Sequence, residues 1–307
     1  MSRWLVTGAT GLLGSNALLL LQESHDVIGT ARVAPTNLAL PFIEADLSAA
    51  DTRRGLVREA HPNVVLHAAA LSSIEACASD PALAAELNVH ASVDLAAQAA
   101  EIGAKFIFIS TDAVFDGTKG SYSESEPTSP ISVYGRTKVQ AEEAVLEANP
   151  DALVARVNFY GWSPTGQRSL AEFFYHRLAR GESVTGFQDT IVSTLYVDYL
   201  VESLAHLVEA KVCGVVHVSS AESTSKYDFG RRLASTFGFA PELVVPGISS
   251  DFLPQSRGAQ LNMRNDRFEQ QTGIPMPGQQ AGLDRLLADM KSGRREELHK
   301  FTNLKEV

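Results

Sequence analysis

Short apolar runs alternate along the first half of the chain with longer segments in which apolar residues recur every three or four positions. The apolar runs lie at residues 3–7, 26–30, 42–47, 63–70 and 105–111. Continuous apolar runs are typical of strands covered on both faces, and the segments between them have the period of amphipathic helices. The pattern therefore predicts an α/β fold built on a doubly wound parallel sheet.

The second half continues this alternation with weaker signals. Further strands are predicted at residues 153–157, 190–196 and 214–219, and helices at residues 169–180, 197–210 and 282–291. From Ala240 the sequence becomes rich in proline and glycine, so this part is expected to form an irregular cap. Charges of alternating sign at residues 291–297 predict a solvated surface.

The chain has 307 residues and a formal net charge of −10, from 26 basic and 36 acidic side chains. This acidic balance argues against nucleic acid and anionic membranes as partners. Cys77 and Cys213 are isolated in the sequence, which favours a reducing compartment and provides no metal-ligand spacing. Because we find no cleavable leader and no apolar run of membrane-spanning length, we expect a soluble cytoplasmic protein without a metal site.

A glycine-rich turn follows the first predicted strand. Residues 7–14 read TGATGLLG and lead directly into a helical pattern. The first glycine permits a tight turn, the second lets the backbone approach a pyrophosphate, and the third allows close packing of helix on strand. Amides at the start of that helix would then face the phosphates. The predicted cofactor contacts here are Gly8, Thr10, Gly11, Leu12, Leu13 and Gly14.

The second predicted strand ends in Thr30 and Arg32, without an acidic residue. Enzymes selective for NAD usually place Asp or Glu there, on the ribose 2′-hydroxyl, whereas an arginine suits a 2′-phosphate. We therefore expect NADP(H) rather than NAD(H). Asp46 and Leu47, at the end of the third strand, are predicted at the adenine. His67 is interpreted as a core histidine, and small residues after it are predicted to face the nicotinamide ribose, namely Ala68, Ala69 and Ala70.

This cofactor prediction also divides the chain. Residues 1–157 are expected to form a dinucleotide-binding Rossmann domain, to which residues 188–218 return. Residues 158–187 and 219–307 are expected to form a smaller, mixed α/β substrate-binding lobe.

Candidate chemistry lies at the carboxyl end of the fifth strand and on the helix after it. The strand delivers Thr111 and Asp112 to the edge of the sheet where ligands bind in open α/β folds. Tyr134 and Lys138 are four positions apart on a predicted helix over residues 134–148, so they share one face. An ammonium beside a phenol favours the phenolate, which would bring proton exchange with a substrate nearer to neutral pH.

Four motifs in this order resemble the extended short-chain dehydrogenase/reductases. They are TGATGLLG at residues 7–14, HAAA at 67–70, STDAVFDG at 110–117 and YGRTK at 134–138. The third motif, a YxExxPxxP loop at 122–130 and the stretch RGAQLN at 257–262 are most similar to dTDP-4-dehydrorhamnose reductases and their sugar-nucleotide relatives. The chain departs from that group at Gly258, where the relatives have proline, and at Leu12, where many have glutamine.

The resemblance implies an NADP(H)-dependent oxidoreductase that reduces the 4-keto group of a nucleotide-linked deoxysugar. Tyr134 would protonate the carbonyl oxygen, Lys138 would lower the pKa of Tyr134 and hold the nicotinamide ribose, and Thr111 would hydrogen-bond the same oxygen. Substrate contacts are implied for Asp112, Val114, Phe115, Asn158 and Arg257.

Other functions stay open at this stage. Sugar-nucleotide epimerases and dehydratases share the fold and keep their cofactor tightly bound, and the dehydratases commonly have an acidic residue after the threonine, as Asp112 follows Thr111 here. The non-catalytic regulatory β subunit of methionine adenosyltransferase resembles the same reductases, so a binding protein without turnover is a further reading. A reductase of a ketone that is not on a sugar, and a homodimeric assembly, are also compatible with the sequence.

Overall fold

In the computed structural model, which describes residues 1–251 and 258–302, all five apolar runs of the first half form strands. The strands are β1 (Arg3–Thr7), β2 (Asp26–Ala31), β3 (Phe42–Glu44), β4 (Val64–His67), β5 (Lys105–Thr111), β6 (Leu153–Val157), β7 (Phe159–Tyr160), β8 (Val184–Phe187), β9 (Ile191–Val192), β10 (Leu195–Tyr196), β11 (Gly214–Val218), β12 (Thr224–Ser225) and β13 (Val244–Gly247).

Seven of these strands form one parallel sheet in the order β11-β6-β5-β4-β1-β2-β3. The chain builds outward from β1 through β2 to β3, then crosses to β4 on the other side of β1. Such a reversal of strand order opens a crevice at the carboxyl ends of the two strands that flank it, here β1 and β4. The predicted α/β class with a doubly wound parallel sheet is confirmed.

Helices cover both faces of this sheet. They are α1 (Leu12–Leu21), α2 (Ala50–Arg53), α3 (Leu56–Ala60), α4 (Ile74–Ser79), α5 (Pro81–Ala85), α6 (Ala91–Glu101), α7 (Val133–Ala148), α8 (Leu170–Leu178), α9 (Val197–Glu209), α10 (Lys226–Phe237), α11 (Asp266–Thr272), α12 (Gln279–Lys291) and α13 (Arg294–His299). A π-helical turn, Glu86–His90, joins α5 to α6. Among the described residues, no helix combines the length and apolarity needed to span a membrane.

Alternate residues of each central strand enter two separate cores. In β1, Val6 belongs to the core under α1 and α9, whereas Leu5 belongs to the core under α6 and α7. Ile107 and Phe108 of β5 divide in the same way. Because side chains alternate between the faces of a strand and both faces are buried, consecutive positions in the middle of each central strand are apolar. This double burial explains the continuous apolar runs of the sequence.

Outside the main sheet, small strand pairs differ from the sequence prediction. The single strand predicted at residues 190–196 is two strands, because β9 pairs antiparallel with β12 while β10 pairs parallel with β7. Between them Ser193 is buried and accepts a hydrogen bond from the amide of Met263 (3.0 Å). The parallel pair of β8 and β13 was not predicted.

The predicted solvated surface at residues 291–297 is confirmed in part. Lys291, Ser292, Glu296 and Glu297 are exposed, whereas Arg294 and Arg295 are half-buried. These residues lead into and form most of α13, and the segment is held to the body of the protein by Leu298 and Phe301, both almost fully buried. The Arg294 guanidinium lies 3.5 Å from the buried carboxylate of Asp198, and that of Arg295 lies 4.8 Å from the ring of Trp162. The charges alternate along the chain, but the arginines lie against α9 and α8 rather than in bulk water.

Candidate active site

The carboxyl ends of the central strands border a cavity of about 660 Å³ between the sheet edge, α8 and α10. Its lining combines predicted site residues with residues that the sequence did not single out. The former are Thr111, Asp112, Phe115, Tyr134 and Asn158, and the latter include Arg168, Leu170, Phe173 and Lys226. Lys226 follows Ser225, which caps α10, but only the fold shows that this helix begins at the cavity.

The start of α7 is held tightly against the loop after β5. Ser132 caps the helix by accepting the amide hydrogen of Gly135 (3.0 Å). A Cβ atom at Gly135 would lie 2.3 Å from the carbonyl oxygen of Ala113, so only glycine permits this approach. The close contact brings Tyr134 to the end of β5, where its hydroxyl hydrogen-bonds Thr111.

Lys138 lies one turn further along α7 and is almost fully buried. Its ammonium lies 3.8 Å from the centroid of the Phe108 ring, a cation–π distance. Burial lowers the pKa of Lys138 to about 7, against an opposing effect of the Glu142 carboxylate. Because this pKa lies close to neutral pH, small changes around Lys138 would change the fraction of it that is charged.

The pKa of Tyr134 shifts in the direction opposite to our expectation. Burial raises it above the ordinary value of a phenol, and the charge of Asp112 adds to this, against a hydrogen bond with Thr111 that lowers it. Desolvation disfavours the phenolate, and here it outweighs any help from Lys138. Tyr134 is therefore protonated at neutral pH in this structure.

Two further predicted substrate residues meet directly beside this pair. Asp112 is buried, and its carboxylate accepts hydrogen bonds from the Asn158 amide and from the Thr111 hydroxyl (3.0 Å). Phe115 lines the cavity and stacks on Tyr122 with ring centroids 4.1 Å apart. Val114 does not line the cavity, because it is fully buried in the cluster beneath Phe115. The remaining predicted substrate residue, Arg257, lies outside the described residues.

The structure also explains the departure at Gly258. A Cβ atom at Gly258 would lie 2.7 Å from the carbonyl oxygen of Asp116, and one at Gly117 would lie 2.5 Å from Cα of Gly258. The two backbones are therefore in contact, and both positions require glycine. This contact closes one wall of the cavity.

The glycine turn has the shape that a pyrophosphate needs. Gly8 adopts φ = +64°, and a Cβ atom there would meet the backbone of Ala69 at 2.8 Å. Gly11 precedes α1, and no side chain caps this helix, so its first amides point outward from the turn. Uncapped amides at the start of a helix attract phosphate oxygens. This cradle fits the phosphates of a dinucleotide, with Thr10, Leu12 and Leu13 in the same turn.

Gly14 provides the first testable consequence of this packing. A Cβ atom at Gly14 would lie only 2.3 Å from the carbonyl oxygen of Gly8, inside the turn itself. We expect Gly14→Ala to lower the free energy of unfolding by about 1–3 kcal/mol, the usual range for overpacking. Dinucleotide affinity should fall as well, because the turn must open. Urea denaturation and fluorescence titration with NADPH measure both effects, and unchanged values in both would contradict the packing described here.

Other predicted cofactor residues surround this turn. Arg32 is exposed just after β2 and hydrogen-bonds none of the described residues, and Thr30 has a buried hydroxyl without a described partner. Hydrogen bonds from Ser48 hold the pKa of the Asp46 carboxyl below its ordinary value, with a smaller effect from Arg32. Leu47 is buried. Asp46 and Arg32 thus lie near each other beyond the strand ends, on the side of the sheet where β2 and β3 pair.

The residues after β4 pack against the same turn. The Ala69 amide donates to the hydroxyl of Thr7 (3.1 Å), while Ala68 contacts Gly8 and Ala70 is exposed. His67 lies behind them, bonded to Thr7 (2.7 Å) and Ser92 (3.0 Å), and burial lowers its pKa to about 3. A neutral histidine with both ring nitrogens engaged stabilises the strand end. Among the described residues, no group of three or more His, Cys, Asp or Glu is arranged to hold a metal ion.

Comparison with known proteins extends this picture. Residues 2–292 match the family described as RmlD substrate binding domain. The chain is 32% identical to dTDP-4-dehydrorhamnose reductase of Burkholderia thailandensis, over 94% of this chain and 99% of that protein. It is also 32% identical to methionine adenosyltransferase 2 subunit beta of Mus musculus, over 85% of this chain and 80% of that protein. The dTDP-4-dehydrorhamnose reductase of Bacillus anthracis, solved in complex with NADP, superposes with a TM-score of 0.83 at 24% identity, over 94% and 99% of the two chains.

Proposed function

The chain belongs to the RmlD substrate-binding domain family, and from this premise we propose that it is an NADP(H)-dependent reductase of the 4-keto group of a nucleotide-linked deoxysugar. One observation carries the proposal. Tyr134 and Thr111 are hydrogen-bonded at the wall of a cavity, with Lys138 buried one turn along the same helix. This arrangement supports the proposal, because a protonated phenol at the cavity wall could donate its proton to a bound carbonyl oxygen.

In this reaction the chain's own residues would donate the proton and stabilise the negative charge that develops on the carbonyl oxygen. Bound NADPH would supply the hydride. Burial keeps the pKa of Tyr134 above its ordinary value, so at neutral pH the phenol carries the proton that the new alcohol requires. Thr111 adds a second hydroxyl at the same point, and polar groups fixed in a buried site stabilise charge on the carbonyl oxygen. Lys138 would hold the nicotinamide ribose hydroxyls.

The same family match supports nucleotide binding at the glycine turn, and the relative from Bacillus anthracis was solved with NADP. We propose that this chain prefers NADP(H), because Arg32 is exposed just beyond β2, where the adenosine 2′-phosphate would bind. A guanidinium can hold a phosphate through two parallel hydrogen bonds.

Arg32→Ala should therefore weaken NADPH binding about 10- to 100-fold, the value of one charge-assisted contact of 1.5–3 kcal/mol. NADH binding should change little, since it lacks the 2′-phosphate. Isothermal titration with both cofactors measures the difference. Arg58→Ala is the matched control, because Arg58 is an exposed arginine of the same half that pairs with Glu101. Equal losses for NADPH and NADH would contradict the assigned contact.

The proposed reaction is tested by NADPH consumption with purified protein. dTDP-4-keto-6-deoxyhexoses and a set of ketones without a nucleotide would be compared as substrates. Oxidation that requires the nucleotide-linked ketone supports the proposal and gives the substrate class. NADPH oxidation with only the other ketones would support the reductase activity but contradict a sugar-nucleotide substrate.

A second candidate function is that of a nucleotide-binding subunit of a larger enzyme. The similarity to methionine adenosyltransferase 2 subunit beta supports it. Tight NADPH binding without oxidation by any of these ketones would favour this reading over a reductase. The complete set, with Thr111 and Tyr134 at the cavity and Lys138 buried one turn along α7, supports turnover as the first choice.

A further inference from the structure

We propose that Arg53 is a positioning residue that holds Asp46 and Leu47 in place to recognise the adenine of NADP(H). The inference rests on the proposed function, because it concerns the cofactor of that reaction. It deepens that function by assigning part of the base recognition to a buried side chain that acts through another segment of the chain. Residues 46–48 are called the adenine turn below.

The adenine turn lies beyond the end of an edge strand. β3 has only three residues, and as the last strand of the sheet it pairs with β2. Among the described residues, the last hydrogen bond that continues this pairing joins the Ala45 amide to the carbonyl oxygen of Ala31 (2.9 Å). Strand pairing therefore does not fix the backbone of the adenine turn, and other contacts must hold it.

The Arg53 side chain provides such a contact. Its Nη1 donates to the carbonyl oxygen of Leu47 (2.9 Å) and to the Glu86 carboxylate (2.6 Å), and its Nε donates to Asp94 (2.6 Å). Only 4% of Arg53 is exposed, so three acceptors hold its planar guanidinium in one position. The side chain thus ties the adenine turn to α6, which carries Asp94, and to the π-helical turn, which carries Glu86.

The π-helical turn is a well-held anchor for this contact. Asn88 lies two residues after Glu86 and is fully buried. Its side-chain amide donates to the carbonyl oxygen of Leu71 (3.1 Å) and to the hydroxyl of Thr137 (3.0 Å), and it accepts the amide hydrogen of Leu71 (2.8 Å). Because Leu71 follows β4 and Thr137 lies on α7, the anchor is joined to the centre of the sheet, and it gives the adenine turn a defined position.

The adenine turn presents an acceptor that suits the base. The amide and the hydroxyl of Ser48 both donate to Oδ1 of Asp46 (3.0 and 2.7 Å), and the hydroxyl of Thr52 donates to the Asp46 carbonyl oxygen. Among the described residues, none donates a hydrogen bond to Oδ2 of Asp46. The exocyclic amino group of adenine is a hydrogen-bond donor, so Oδ2 is the acceptor that it can use. A contact of this kind depends on direction, and therefore on where the turn is held.

A cofactor with a changed base tests the role of Arg53. Reduced nicotinamide hypoxanthine dinucleotide phosphate differs from NADPH at the base, where a carbonyl oxygen replaces the amino group. The native protein should bind NADPH about 10- to 100-fold more tightly than this analogue, the usual effect of one hydrogen bond to a charged acceptor. In Arg53→Met this preference should fall about tenfold, because the turn that presents Asp46 is no longer held. Fluorescence titration measures both affinities without a ketone.

Arg54→Met is the matched control. It makes the same change one residue later, where the side chain is 80% exposed and pairs with Asp51. It should keep the native preference between the two dinucleotides. Arg53→Met should remain folded, since the side chains of Glu86 and Asp94 are 34% and 48% exposed and can be hydrated.

Arg53→Lys provides a second variant if Arg53→Met does not fold. It keeps a positive charge beside both carboxylates, but it lacks the planar fork that reaches the Leu47 carbonyl at the same time. The preference for NADPH should therefore fall in this variant as well, and a native preference in Arg53→Lys would then contradict the inference.

The outcomes separate this inference from the proposed reaction. A reduced preference in the Arg53 variants supports the inference even if no ketone is reduced, in which case only the proposed function fails. A merely structural role for Arg53 predicts that both dinucleotides lose affinity by the same factor, and this result would overturn the inference. A native protein that does not distinguish the two bases would overturn it even if ketones are reduced. A native protein that binds neither dinucleotide would overturn both proposals.

Discussion

Tyr134→Phe is expected to lower kcat for ketone reduction by about 10²- to 10⁴-fold, the usual contribution of a general acid. The phenyl ring keeps the shape and packing of the tyrosine, and only the hydroxyl that bonds Thr111 is removed. Thr111 cannot replace it, because an aliphatic hydroxyl is a much weaker acid than a phenol. NADPH affinity should remain within a small factor of the native value, since the glycine turn and Arg32 are untouched.

The measurement is NADPH oxidation under saturating ketone, with cofactor binding followed separately by fluorescence. Tyr199→Phe provides a matched control, because Tyr199 lies on α9 and does not line the cavity. It should retain the native kcat. A Tyr134→Phe variant that binds NADPH and turns over at the native rate would show that another group supplies the proton.

The parts of the site that depend on local spacing were predictable from the sequence. Tyr134 and Lys138 lie on α7, which runs over Val133–Ala148 against a prediction of residues 134–148. Glycines at 8, 11 and 14 predicted a turn between β1 and α1, and the turn is there. In each case the signal is a periodicity or a backbone requirement within about fifteen residues, which no distant contact overrides.

Features that depend on distant contacts were not predictable. Lys226 reaches the cavity only because α10 packs beside α8, and the pair of β8 with β13 joins segments far apart in sequence. The direction of the pKa shift of Tyr134 also depended on burial, which the spacing of Tyr134 and Lys138 does not report. We expected their charge interaction to dominate, but the tertiary structure makes desolvation the larger effect.

A buried ion pair below the site is the strongest example of such a distant contact. Glu142 lies two turns after Tyr134 on α7, and Arg156 lies on β6, with both side chains only 5% exposed. Arg156 binds the carboxylate through Nε (3.0 Å) and Nη2 (2.7 Å), a two-point contact. Ser110 donates to the same carboxylate, and the Arg156 guanidinium lies 5.2 Å from the ring of Phe115. The pair therefore joins α7, β5 and β6 directly beneath Thr111.

Removing one partner of this pair should be strongly destabilising. Glu142→Gln leaves the Arg156 charge buried without a counter-charge, and we expect the free energy of unfolding to fall by about 3–5 kcal/mol. Asp26→Asn removes the exposed pair of Arg3 and Asp26, whose side chains are 45% and 46% exposed, and should cost only about 0–1 kcal/mol. Urea denaturation of both variants gives the comparison.

Replacing both partners separates the effect of charge from the effect of packing. In Glu142→Leu with Arg156→Met, no uncompensated charge remains, so most of the stability lost in Glu142→Gln should return. If the double variant is as unstable as the single one, the stability is lost through the altered packing rather than through the buried charge.

Activity should not recover in parallel with stability. The Glu142 carboxylate raises the pKa of Lys138, which is about 7, so removal of Glu142 should lower that pKa. A double variant that is stable but binds NADPH weakly at neutral pH, and more tightly as the pH falls, would show that the pair maintains the charge of Lys138 as well as the fold around it.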